Sequence, residues 1–161
     1  MWEFEPRPVP RELLEACLEA AVWAPNRGLT EPWRFVRIGP EGRRRLAGLA
    51  AETEGGSTVA ALGGCAELVA VLQREDPDPE VAAADRLALG AAIQNILLCA
   101  WDEALGGLWI GGRWLARAEV RGVVGLQPGE SLVALVALGY PDSVPPVPRR
   151  RRARSLLREV P

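Results

Sequence analysis

A polar loop, two glycine pairs and a run of arginines are the parts of this sequence able to do chemistry. Asn26, Arg27, Gly28, Leu29, Thr30 and Glu31 stand between Pro25 and Pro32 and beside Trp33. A loop framed in this way offers backbone donors and one flat apolar wall to a small ligand. The pairs Gly106-Gly107 and Gly111-Gly112 enclose Leu108-Trp109-Ile110, and taken alone such pairs are turns. Arg149 to Arg152 and Arg154 carry forked donors that suit a phosphate, although the same run is also what a solvated tail looks like. Nucleic acid is not expected as a partner, because the formal net charge is −2 and the only other basic cluster is Arg43 to Arg45. Glu75, Asp76, Asp78 and Glu80 lie close together but lack the glycine of a calcium loop, so they read as a surface turn. Cys17, Cys65 and Cys99 are widely spaced in apolar surroundings, which suggests buried free thiols.

What is missing constrains mechanism more than what is present. All 19 basic residues are arginine, and neither histidine nor lysine occurs. That excludes a Ser/His/Asp or Cys/His system, a His-ligated zinc, a Schiff-base lysine and a P-loop lysine. No side chain is expected to act as a catalytic group and no metal is expected, so an enzyme of this composition needs a cofactor to supply its chemistry.

The elements that must position these residues follow from the patterning. A chain of 161 residues with 48% hydrophobic and 25% charged residues has the size and balance of one folded domain. The sequence begins without an apolar run of signal-peptide type, and no stretch of about 18 uninterrupted apolar residues occurs. A cytoplasmic protein with no membrane partner is expected. Leu13, Leu14, Cys17, Leu18, Ala21 and Val22 recur at helical spacing after Pro10, and the helix should stop before Pro25. Residues 33–38 read as a strand, 41–51 as a helix with Leu46 and Leu49 inward, 54–57 as a flexible connection, and 66–72 as a buried strand before an Asp/Pro-rich turn at 74–80. Residues 81–104 are apolar on nearly every face, so this helix must be surrounded by protein. Gly106-Gly107 then ends it, 108–110 form a short strand, 114–124 a helix closed by Gly125, and 131–138 a second buried strand. The interleaving is α+β, with residues 1–161 a single domain and 142–161 a Pro/Arg-rich tail. Trp2, Trp23, Trp33, Trp101 and Trp114 are expected in the core.

Three segments together resemble the FMN-dependent nitroreductase family, and its compact subgroup in particular. The run Ala24-Pro25-Asn26-Arg27-Gly28-Leu29-Thr30-Glu31-Pro32-Trp33-Arg34-Phe35 is similar to the family's "APxxxxxQPWRF" turn, with Arg27 where the subgroup commonly has histidine and Glu31 where many members have glutamine. The helix around Ala91 to Leu98, followed by Leu105-Gly106-Gly107-Leu108-Trp109-Ile110-Gly111-Gly112, is similar to the interface helix and "GLxxxWxxG" strand. Gly139-Tyr140-Pro141 and Pro148-Arg149-Arg150-Arg151 resemble the "GYP…PxRxx" ending.

The resemblance implies a homodimer with a mostly antiparallel central sheet flanked by helices and FMN bound between subunits. It places Asn26, Arg27, Gly28, Leu29 and Glu31 along the flavin, Ile110, Gly111 and Gly112 against its ring, and Arg149 and Arg151 on its phosphate. Glycine suits the ring-facing positions because only a backbone without Cβ approaches a flat ring closely, and Trp109 is read either as packing or as a flavin contact. Gly112→Val is accordingly expected to abolish flavin binding without unfolding the chain. Family members usually carry an N-terminal "RRSxR" phosphate clamp, whereas this sequence starts at Met1-Trp2-Glu3-Phe4-Glu5. The expected activity is ping-pong hydride transfer from NAD(P)H through flavin to a small acceptor such as a nitroaromatic or quinone. The alternative is a flavin-free member with a binding or regulatory role.

Overall fold

In the computed structural model, which describes residues 3–144 and 146–160, Pro10 occupies the cap position before helix α1 (Arg11–Val22). Its Leu14, Cys17 and Ala21 are buried along one stripe, and the helix ends ahead of Pro25 as expected. Strand β1 (Trp33–Arg37) is followed by α2 (Pro40–Ala50), α3 (Gly56–Gly64) and strand β2 (Glu67–Arg74). The long helix α4 (Pro79–Asp102) starts where Asp78 accepts a hydrogen bond from the Glu80 N–H and Pro79 fills the first helical position. Strand β3 (Gly106–Ile110), a 3-10 turn (Arg113–Ala116), α5 (Ala118–Val124) and strand β4 (Glu130–Gly139) complete the domain.

The four strands form one antiparallel sheet in the order β1-β2-β4-β3. Helices cover both faces. Val69, Val71, Ala134, Val136 and Leu138 point into a core shared with α1 and α4, and Leu68, Ala70, Leu72, Leu135 and Ala137 into a second core shared with α2, α3 and α5. Burial on both faces explains why β2 and β4 read as continuous apolar runs and not as alternating strands. Their register shifts between Val71 and Leu72, which leaves Val133 of β4 as the extra residue of a bulge.

Several expectations need correction. Residues 54–57 are not merely a connection, since α3 begins at Gly56; its Gly/Ser/Thr start hides a helix whose Ala61 and Leu62 are fully buried. Gly106-Gly107 is not a turn but the start of β3, where a Cβ at Gly107 would lie 2.6 Å from Leu97 Cδ2. Glycine there lets α4 lie against the strand. The single helix expected over 114–124 is broken at Arg117, which is extended (φ −62°, ψ 141°) and donates to Glu52 Oε2 at 2.7 Å. The break lets Trp114 and Leu115 enter the same core as Val120 and Val124, which would lie on opposite sides of one continuous helix. Trp33 and Trp114 are buried, but Trp23 is 80% and Trp101 56% exposed, while Trp2 lies outside the described residues.

By length and composition α4 could cross a membrane. Its polar groups are instead built into protein contacts: Asp85, only 2% exposed, accepts from Thr30 Oγ1, and Asn95 Nδ2 donates to the Ala20 carbonyl of α1 at 3.0 Å. The remaining face, with Leu87, Leu98 and Trp101 exposed, is bare in the single chain.

Candidate functional site

The loop over residues 26–31 is held by its own polar groups and by α4. Asn26 Oδ1 accepts from the Glu31 N–H at 3.0 Å, Thr30 Oγ1 donates to Asp85 Oδ1 at 2.6 Å, and Arg74 donates to the Thr30 carbonyl at 3.1 Å. Arg27 reaches Glu80 in the first turn of α4. Within this frame Gly28, Leu29 and Glu31 have φ of 67°, 54° and 45°. Left-handed leucine and glutamate are costly by about 1–2 kcal/mol each, so the surroundings hold a backbone the loop would not choose alone. Such stored strain concentrates where ligands bind. Leu29 projects outward, 81% exposed.

Gly111 and Gly112 follow β3 on the exposed surface. Gly112 has φ +120° and ψ 166°, a conformation essentially restricted to glycine. The Trp114 indole N–H donates to the Gly111 carbonyl at 3.1 Å, and a Cβ at Gly112 would meet Trp114 Cδ1 at 3.0 Å and Glu54 Oε1 at 3.6 Å. This overturns the expectation for Gly112→Val: a branched side chain there strains the backbone and collides with a buried tryptophan, so the fold suffers as well as any ligand. A Cβ at Gly111 would meet only Trp109 Nε1, at 3.9 Å. Beside Gly112 opens a cavity of about 300 Å³ lined by Arg86, Leu115, Arg121, Ser131 and the bulged Val133.

The expected site residues are only partly assembled. Trp109 is half-exposed against Gly90 of α4, whereas the Ile110 side chain is buried in the second core and can offer only its backbone. The loop precedes β1 and Gly111-Gly112 follows β3, the two outer strands, so both lie at one end of the sheet but on opposite flanks. Three strand spacings separate those flanks, about 14 Å. Arg149 and Arg151 are exposed in the tail, which leaves the sheet at the other end of β4. Glu54, Arg86, Arg121 and Ser131 were not anticipated, because isolated residues on different elements leave no motif.

A strained polar loop and an exposed glycine pair with a cavity beside it thus stand at one end of an antiparallel sheet covered by helices on both faces. The model of the nitroreductase family matches residues 3–140, and the chain belongs to that family. It is 32% identical to the Bacillus subtilis (strain 168) protein YfhC, named an NAD(P)H nitroreductase, over 98% of this chain and 88% of that one. Among solved structures, the nitroreductase-like family protein from Bacillus cereus superposes with a TM-score of 0.83 at 26% identity, covering 99% of this chain and 90% of the other. A nitroreductase from Desulfovibrio desulfuricans, solved in complex with FMN, superposes with a TM-score of 0.77 at 31% identity, covering 99% and 91%.

Proposed function

We propose that this chain is an FMN-dependent NAD(P)H oxidoreductase acting on small electrophiles such as nitroaromatics or quinones, in a homodimer whose two flavin sites each draw on both subunits. The observation that carries this reading is the Gly111-Gly112 backbone, open to the surface at the end of β3 with a cavity beside it. The residues fit FMN: the glycines admit a flat ring, and the exposed Arg149 and Arg151 can supply forked donors to a phosphate. The chemistry supplied by the bound flavin is two-electron transfer, from a reduced nicotinamide and then to a second small electrophile in the same pocket.

The protein's own part is to bind and orient. Gly111 and Gly112 offer the approach to the ring, the loop over 26–31 supplies backbone donors along its edge, and Trp109 forms a half-exposed apolar wall. No side-chain base is needed in a hydride step, which suits a chain without histidine or lysine. A second copy would bring the loop of one chain to the glycines of the other, which lie on opposite flanks within a single chain. The stripe of Leu87, Leu98 and Trp101 on α4 gives that copy an apolar surface to cover. Gly90 and Trp109 lie beside it, so the proposed interface borders the proposed flavin position.

The test is anaerobic titration of purified protein with FMN, followed by NADH or NADPH, with sedimentation velocity in parallel. A dimer that takes up one FMN per chain and is then reduced by the nicotinamide supports the proposal. Monomeric protein that leaves added FMN free would support a flavin-free role instead.

A further inference from the structure

Two of the three cysteines, Cys17 and Cys99, stand on α1 and α4 in the core that the two helices share. The helices pack over most of the length of α1, and Asn95 of α4 reaches the main-chain carbonyl of Ala20 at 3.0 Å. So short a side chain spans the gap only where the helix surfaces touch. About one turn beyond Asn95 along α4 comes Cys99, and about one turn before Ala20 along α1 comes Cys17; in an antiparallel pair both steps run the same way, by about 6 Å and about 4.5 Å. Thr30, beyond the end of α1, reaches Asp85, ten residues before Asn95 on α4, so the two helices run antiparallel. Cys17 is fully buried, Cys99 packs against the same core, and Cys99 alone of the two is partly exposed. Burial, and then the neighbouring Cys99 thiol, push the Cys17 thiol up to about 12. Cys65 lies in the other core, on the far side of the sheet.

We propose that Cys17 and Cys99 form a modification site, a facing dithiol that hydrogen peroxide converts to an interhelical disulfide between α1 and α4. The proposal is independent of the flavin reading. The partly exposed Cys99 sulfur attacks the peroxide O–O bond, giving a sulfenic acid and one water; the Cys17 sulfur then displaces the hydroxyl, forming the S–S bond and a second water. Two thiols lose two electrons and two protons, and the peroxide takes up both. Because Cys17 holds its proton, the second step is limited by its deprotonation and quickens as pH rises.

The experiment is to treat the native protein with hydrogen peroxide at a dose that fully oxidises glutathione in the same tube. The peroxide is then quenched, and the protein is alkylated in denaturant and digested without reduction. The expected result is one alkylated thiol, Cys65, with the other two recovered in a single Cys17–Cys99 linked peptide. In Cys99→Ala, Cys17 should stay free at that dose, since it has no route to peroxide. As a readout that needs no variant, one equivalent of phenylarsine oxide, a reagent for paired thiols, should block two of the three thiols in the wild type. Retention of all three thiols after peroxide, a linkage through Cys65, a link only between Cys99 residues of two chains, or no arsenical uptake would each overturn the proposal.

Discussion

Replacing Gly112 by alanine separates two demands that this position meets. Its φ of +120° lies where an L side chain is strained, at a cost of about 1–3 kcal/mol. The added methyl would also sit 3.0 Å from Trp114 Cδ1. That ring cannot move aside freely, since it is 3% exposed and its N–H is bonded to the Gly111 carbonyl. Together these should remove at least about 2 kcal/mol, or about 4–8 °C of Tm for a chain of this size. Gly111→Ala is the control, because its Cβ meets nothing closer than 3.9 Å. Thermal melting followed by circular dichroism should show Gly112→Ala destabilised and Gly111→Ala within about 0.5 kcal/mol of wild type. In FMN titrations Gly111→Ala should nevertheless bind at least about tenfold more weakly, because its methyl stands where the ring is proposed to lie. A Gly112→Ala protein that melts with wild type would refute the strain argument, and unchanged FMN affinity in Gly111→Ala would place the ring elsewhere.

Thr30→Val leaves the buried Asp85 carboxylate without the hydroxyl that donates to it at 2.6 Å. A loss of about 1–3 kcal/mol in urea unfolding is expected, with Thr30→Ser close to wild type. Arg149→Ala with Arg151→Ala should weaken FMN by about tenfold or more per arginine while sparing riboflavin, which lacks the phosphate; equal losses for both ligands would exclude a phosphate role. The Cys17 thiol, raised from 9.0 to about 12 chiefly by burial, makes stability pH-dependent. Its contribution is fully present below the unfolded thiol's pKa and is lost progressively as pH rises from there toward the folded one, because between the two only the unfolded chain gives up the proton. Melting temperatures at about pH 8 and about pH 10 should therefore fall less in Cys17→Ala than in wild type.

The parts of this fold that were legible in the sequence are those whose signal is local. Helix α1 shows its buried stripe and its proline boundaries, and β2 and β4 show their apolar runs because helices cover both faces. Helix α3 was hidden because glycine, serine and threonine at its start argue for a loop, while the burial of Ala61 and Leu62 that stabilises it is tertiary. The break at Arg117 serves the burial of Trp114 and Leu115 together with Val120 and Val124, a tertiary demand with no local signal. The apolar character of α4 was readable as a need for burial; that Leu87, Leu98 and Trp101 go uncovered within one chain was not. At the candidate site, Gly112 was visible as glycine but its collision with Trp114 was not, and Arg86 and Arg121 meet at the cavity only through packing.

Two copies of this chain are proposed to hold a working flavin together. This is tested most directly by the visible spectrum of the FMN-loaded protein under anaerobic conditions, with NADH or NADPH added first and a nitroaromatic such as nitrofurazone second. The flavin band should bleach on the first addition and return on the second, in a species that sediments as a dimer. A band that stays unchanged with both nicotinamides, or FMN that separates from the protein on gel filtration, would contradict it.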